Sequence, residues 1–152
     1  PSPFDCWLTT RGIKTLPLRV NAQVKNASLL AEQIATHPLV KSVRYPFKLD
    51  HPQVDIAKSQ MKAGGAIITV DIKGDMHQTF LLCKSLKYFT LAESLGGVES
   101  LVCHPATMTH ASIPSKTKES LGINDSLIRF SIGCEDLEDL STDLITALDQ
   151  LQ

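Results

Sequence analysis

The residues best suited to chemistry are Arg129 and Ser94. Arg129 stands in Leu127-Ile128-Arg129-Phe130-Ser131-Ile132-Gly133, an alternation of the kind a half-buried strand shows. Ile128, Phe130 and Ile132 would then face a core, while Arg129 and Ser131 face away. A guanidinium on a rigid strand presents a planar fork of donors that suits a carboxylate. Outward arginines on strands are also commonly just solvated, and the pattern alone leaves both readings open. Ser94 stands in Thr90-Leu91-Ala92-Glu93-Ser94-Leu95-Gly96-Gly97-Val98-Glu99-Ser100, ahead of a second apolar run, Leu101-Val102. Paired glycines let backbone amides approach a ligand that a Cβ would hold off, but the same residues also make an ordinary turn.

Other chemistries find less support. Cys6, Cys83, Cys103 and Cys134 lie far apart with no C-x-x-C pair, and read as reduced thiols of a cytosolic chain. Cys83, inside Phe80-Leu81-Leu82-Cys83, reads as a small core hydrophobe. Cys103, His104 and His110 lack the spacing and the number of ligands that a zinc site needs. A thiol nucleophile has no His or Asn partner that spacing could supply.

The 152 residues suffice for one domain with its own core. Apolar content of 43% and charged content of 20% are those of an ordinary globular protein. The formal charge of −1 gives no basic footprint for nucleic acid, and 5% aromatics gives little to stack on bases. No apolar run approaches a membrane span, and no signal-peptide pattern opens the chain. A chain beginning Pro-Ser-Pro looks cut from something longer.

The elements that must position Arg129 and Ser94 follow from periodicity. Residues 4 to 36 read as helix interrupted at Gly12 and kinked at Pro17, with Leu18, Val24, Leu29, Leu30 and Ile34 as its apolar stripe. Residues 39 to 45 read as a short strand, 53 to 61 as a helix, and 66 to 72 as the strongest strand, with Ile68, Val70 and Ile72 on one face. A helix over 76 to 86 follows Gly74-Asp75. Strands are expected at 88 to 92 and 98 to 102, a helix from Pro114-Ser115 to a C-cap at Gly122, and the Arg129 strand. Acids at Glu135-Asp136 open a final helix, whose stripe is Leu137, Leu140, Leu144, Ile145, Leu148 and Leu151. Strands alternating with helices imply an α/β two-layer sandwich, a small mixed or mostly antiparallel sheet with helices on one face. The other face, carrying Arg129, would be left free.

Three segments carry a family resemblance: PSPFDCWLTTRGIKTLPLRV, AESLGGVESLVCHPATMTHAS and LGINDSLIRFSIGCEDLEDL. The last two resemble the C-terminal region of the pyridoxal-phosphate enzymes of cysteine and methionine metabolism, among them cystathionine γ-synthases, γ-lyases and β-lyases. The first is similar to the segment that links the large and small domains of that family. The resemblance implies that residues 1–37 are a kinked helical connector from a cofactor domain and 38–152 a C-terminal substrate-binding domain. It implies that Arg129 binds the substrate α-carboxylate, helped by Ser94 and the backbone beside it at Leu95. Thr109 matches a threonine near the substrate. Glu93 matches a position that reaches the distal amino group of cystathionine, where an acid suits a second ammonium.

Pyridoxal 5'-phosphate is the cofactor implied, held mainly by the other domain. Its aldimine lysine in this family sits in a motif like S-x-T-K-Y-x-x-G-H, which no lysine here matches, so this chain alone is expected to be inactive. The resemblance further implies a cytoplasmic homotetramer built from dimers, with an amino-acid substrate and no nucleic-acid or membrane partner. Glu93 favours action at the γ-carbon of homoserine esters or cystathionine, of the γ-synthase or γ-lyase type. A β-lyase or methionine γ-lyase of the same family is the alternative, as is a non-catalytic α/β module that binds an amino acid.

Overall fold

The computed structural model describes residues 1–151; the expected domain's last residue, Gln152, lies outside them. A capping box opens helix α1 (Pro3–Ile13): the Ser2 hydroxyl accepts the Asp5 amide while the Asp5 carboxylate accepts the Ser2 amide. Lys14 and Thr15 then separate α1 from α2 (Leu16–Ile34). Two helices therefore replace the single kinked one. Pro17 opens α2 rather than bending it, because in a first turn its missing amide would have had no partner anyway. The buried face of α2 is Gln23, Asn26, Ala27, Leu30, Ala31 and Ile34, whereas Leu18 is 71% exposed and Leu29 is also on the surface.

Strand β1 (Val40–Arg44) carries a register irregularity between Val40 and Ser42, so Val40 and Val43 are both buried although three residues apart. Helix α3 (Val54–Gln60) leads to β2 (Ile67–Ile72), whose Ile68, Val70 and Ile72 point inward as expected. Asp75 and Gln78 cap helix α4 (Met76–Ser85). Strand β3 (Thr90–Leu91) is shorter than expected, and β4 (Leu101–Cys103) starts later. Helix α5 (Ser115–Ser120) precedes Gly122, which has the left-handed φ of +68° expected of a C-cap. Strand β5 (Leu127–Ser131) and helix α6 (Leu137–Asp149) complete the chain, with Asp136 capping α6.

The strands form one sheet in the order β1-β2-β5-β4-β3, antiparallel except for β3 with β4. Helices α2, α4 and α6 cover one face. There Leu30, Ile34, Leu82, Leu140, Leu144 and Leu148 close over Ile68, Val70, Ile128, Phe130 and Ile132. Phe89 meets Phe130 edge-on, with ring centroids 5.3 Å apart. Asp143 of α6 accepts the amides of Lys87 and Tyr88, tying the turn after α4 to the last helix.

The opposite face is not bare, contrary to expectation. Leu101, Cys103, Leu127, Asp71 and Ser131 all lie on it and are buried, because loops fold back over both its ends. Ile67, Thr69 and Arg129 stay half-exposed on the central strands, and Ser42 and Arg44 of the edge strand β1 are exposed. Gly133, just past β5, is pressed against one of these loops. A methyl group there would run into the Val98 carbonyl oxygen and stand 2.6 Å from the Glu99 carbonyl carbon. The Glu135 carboxylate comes closer still, but these two obstacles are backbone, so Gly133→Ala is expected to cost about 2 kcal/mol or more, read as a lower midpoint in denaturant melts.

Candidate functional site

Arg129 lies in the middle of β5, with Thr69 of β2 on one side and Cys103 of β4 on the other. Its neighbours Ile128 and Phe130 are buried against the helices, so the outward direction of the guanidinium is fixed by the core. Among the described residues no ion pair uses it. Every deeply buried side-chain nitrogen and oxygen among them has a partner, so the unpaired nitrogens of Arg129 remain reachable from outside. The orientation read from the alternation is therefore the one observed.

Ser94 is brought to the same face by strand pairing. β3 and β4 run parallel, with Thr90 opposite Leu101 and Leu91 opposite Val102. A parallel pair cannot be joined by a tight hairpin, so residues 92–100 must travel back along the strands. The turn leaves β3 where the Ala92 amide donates to the Val102 carbonyl, next to the Cys103–Arg129 row. It crosses to β5 where the Gly96 amide donates to Ser131 Oγ at 2.9 Å. Glu93, Ser94 and Leu95 lie between those two anchors, and all three are exposed. Gly96 has φ +80°, a conformation that favours glycine. Its amide is engaged by Ser131, so it is not one of the groups freed for a ligand.

Thr109 approaches the row from the other side. Its hydroxyl is 4.0 Å from Cys103 Sγ and 2.8 Å from His110 Nδ1, so it bonds side chains rather than capping backbone. His104 is wholly buried, with Nδ1 2.8 Å from Thr107 Oγ1 and Nε2 3.0 Å from the Asp125 carbonyl. A carbonyl only accepts, so Nε2 carries the proton and Nδ1 receives the threonine hydroxyl. Both nitrogens of this histidine are thus committed to the fold. The Gly96 bond to Ser131 and the approach of Thr109 to Cys103 put the 93–95 turn and Thr109 on the sheet face that Arg129 occupies. An unpaired guanidinium on that face can bind a small anion.

Two cavities, of about 380 and 370 Å³, lie elsewhere. The first sits between α2 and residues 45–50, and the second between the end of α4 and α6. Neither is lined by a residue of the Arg129 row, so size is a poor guide to the site here. A hollow of about 290 Å³ lined by Arg44, Ile67 and Thr69 does open on the Arg129 side of the sheet.

Sequence reasoning missed the polar groups that hold this surface in shape. Ser100 donates its amide and hydroxyl to the two oxygens of Glu135, at 2.6 and 2.9 Å, and its Oγ accepts the Gly133 amide at 2.8 Å. Gln23 Nε2 donates to the Gly97 carbonyl, and Asn26 Nδ2 donates to the Glu135 carbonyl at 2.8 Å. The available signal was two amides at helical spacing from Ala27, Leu30 and Ile34.

Asp71 anchors the other end of the face. Burial pushes its carboxyl up, but bonds from Ser126, Lys41 and Asn124 outweigh that and hold it below its ordinary value of 3.8. A carboxyl lowered by folding adds stability that is complete above its unfolded value and is lost as pH falls through its folded one. Asp71→Asn is therefore expected to lower stability at neutral pH and to flatten the acid limb below about pH 4, in denaturant melts across pH. The thiols give an independent check. Burial, with Cys103 nearby, pushes the Cys83 thiol up to about 12. In a native-state thiol titration, exposed Cys6 should react first, and buried Cys83 and Cys103 only on unfolding.

Comparison with known proteins gives the family of the chain. Residues 1–149 match the family described as "Cys/Met metabolism PLP-dependent enzyme". Cystathionine gamma-lyase of Dictyostelium discoideum is 48% identical over 150 residues, covering 99% of this chain and 39% of that protein. Cystathionine beta-lyase of Coxiella burnetii is 49% identical over 147 residues, covering 97% of this chain and 38% of that one. Among solved structures, cystathionine gamma synthase of Xanthomonas oryzae pv. oryzae, in complex with aminoacrylate and cysteine, superposes with a TM-score of 0.94 at 43% identity. That match covers 99% of this chain and 39% of the other. The chain thus spans about two fifths of the length of the relatives it matches, and it belongs to the Cys/Met metabolism PLP-dependent enzyme family.

Proposed function

We propose that this chain supplies the substrate-carboxylate site of a pyridoxal-phosphate transsulfuration enzyme that acts at the γ-carbon of homoserine esters or of cystathionine. The observation that carries the reading is Arg129: an unpaired guanidinium, aimed by the core, with the Ser94 turn folded to its side of the sheet. In this reading Arg129 grips the α-carboxylate, while Ser94 and the backbone at Leu95 complete the grip. Thr109 lines the near wall, and exposed Glu93 faces a distal ammonium. Fixing the carboxylate fixes rotation about the substrate's Cα, and orientation of that kind can lower a barrier by several kcal/mol.

Pyridoxal phosphate supplies an electron sink when bound. The capped helix N-termini among the described residues do not offer it a phosphate cradle. The N-termini of α1, α4 and α6 are closed by Ser2, Asp75 and Asp136, two of them acids that would repel a phosphate. Lys41 and Lys48 pair with Asp71 and Asp50, and Lys118 donates to the Ala106 carbonyl. We therefore assign the cofactor's lysine and phosphate site to sequence outside this chain, and to this chain the binding and orientation of substrate. Helix α1 buries none of its residues, and Phe4, Trp7 and Leu8 stand exposed along it. That apolar face fits docking against such a cofactor domain or a second subunit.

A β-lyase reading keeps support from cystathionine beta-lyases, the Coxiella enzyme at 49% identity among them. Product analysis with cystathionine separates the two: γ-cleavage releases cysteine and β-cleavage releases homocysteine. The carboxylate role has its own test. In the holoenzyme that contains this chain, Arg129→Lys loses the two-pronged geometry and is expected to raise the substrate KM about 10- to 100-fold. An unchanged KM would refute it.

A further inference from the structure

The turn that carries Ser94 has little apolar hold. Leu95 and Val98 are 56% and 52% exposed, so its position rests on polar tethers. Two tethers come from β5 and the segment after it: Ser131 Oγ accepts the Gly96 amide, and the Cys134 amide donates to the Val98 carbonyl at 2.8 Å. A third comes from α2, where Gln23 donates to the Gly97 carbonyl at the tip. The fourth fixes the turn's far end, through both oxygens of Glu135 on Ser100.

Gln23 is the unexpected member. It is only 4% exposed, on the helix face that otherwise carries Ala27, Leu30 and Ile34, where an apolar side chain would need no partner. A buried amide is tolerable only when bonded, and here its donor reaches a backbone carbonyl 74 residues away. Asn26, one turn on, repeats the pattern by donating to the Glu135 carbonyl, so α2 holds both the turn and the backbone of the residue that clamps it.

We propose that Gln23 and Glu135 are positioning residues for the carboxylate site, holding the 92–100 turn so that Ser94 stays in register with Arg129. The inference rests on the carboxylate reading of Arg129. Neither residue touches substrate in it. Gln23 sets the height of the turn above β5 through Gly97, and Glu135 sets where the turn ends through Ser100. Because Gln23 stands on α2, a tilt of that helix would be passed to Ser94 through one hydrogen bond.

The test uses the pyridoxal-phosphate holoenzyme containing this chain, with Gln23→Leu and Glu135→Gln. Hydrogen exchange at the Gly96 amide is read against exchange in β2 and β5, together with KM and kcat for the amino-acid substrate. The expected result is about tenfold faster exchange at Gly96 with β2 and β5 unchanged, and a KM raised about tenfold with kcat within about twofold. A purely structural role would instead lower the melting temperature and loosen β2 and β5 while leaving KM in place, and that outcome overturns the proposal. Faster Gly96 exchange at an unchanged KM overturns it as well. Should Gln23→Leu not fold, Glu135→Gln, which keeps the size and one acceptor, decides alone. An Arg129→Lys enzyme run in parallel keeps the two ideas apart. If its KM is unmoved the carboxylate reading falls, whereas if its KM rises and those of the two variants do not, only the positioning role falls.

Discussion

The parallel pairing of β3 with β4 is the constraint from which the rest of the site follows. Two strands running the same way cannot close on a hairpin, and the usual answer is a crossover helix. Residues 92–100 do it without one, and they run over the sheet face that the helices leave uncovered. The same detour buries Ser131 and part of the outer face, and it brings Glu93, Ser94 and Leu95 to the side of the sheet that Arg129 occupies. Reversing the pairing would shorten the connection and remove the turn. A site of this kind is thus a by-product of topology as much as of side-chain choice.

A turn that crosses a sheet face must satisfy its own backbone. Here the partners are the Cys134 amide and side chains from three places: Gln23 on α2, Ser131 on β5 and Glu135 ahead of α6. Glu135 is saturated by Ser100, and Ser100 in turn takes the Gly133 amide. Gly133 has room only for hydrogen because this network draws the turn down onto it. Dense polar contacts of that kind give a defined shape to a loop with almost no apolar anchor, and low-dielectric surroundings strengthen them.

The strands and the last helix were legible because their apolar periods are clean. Ile68-Val70-Ile72 and Ile128-Phe130-Ile132 alternate without interruption, and Leu140, Leu144 and Leu148 recur at helical spacing. The direction of Arg129 came from the same alternation. Helix α2 was misread because its inward face includes Gln23 and Asn26, while Leu18 and Leu29 face out; hydrophobicity alone picks the wrong stripe there. Pro17 was read as a kink because its sequence context does not say whether a helix is already running. Strand β1 needed a register shift to bury both Val40 and Val43, which a strict period of two cannot represent. The network around Ser100 was out of reach for another reason. Its partners lie 33 to 109 residues apart, and no local pattern pairs them.

Helix α1 has an optical consequence. Trp7 is the chain's one tryptophan, and it is 55% exposed, 5.8 Å from Phe4 between ring centroids and with the Arg11 guanidinium over its ring. Its fluorescence therefore comes from the apolar surface of α1 and from nowhere else in the chain. Whatever covers that surface would shift the emission toward shorter wavelengths, so the chain carries a native, label-free gauge of its own docking.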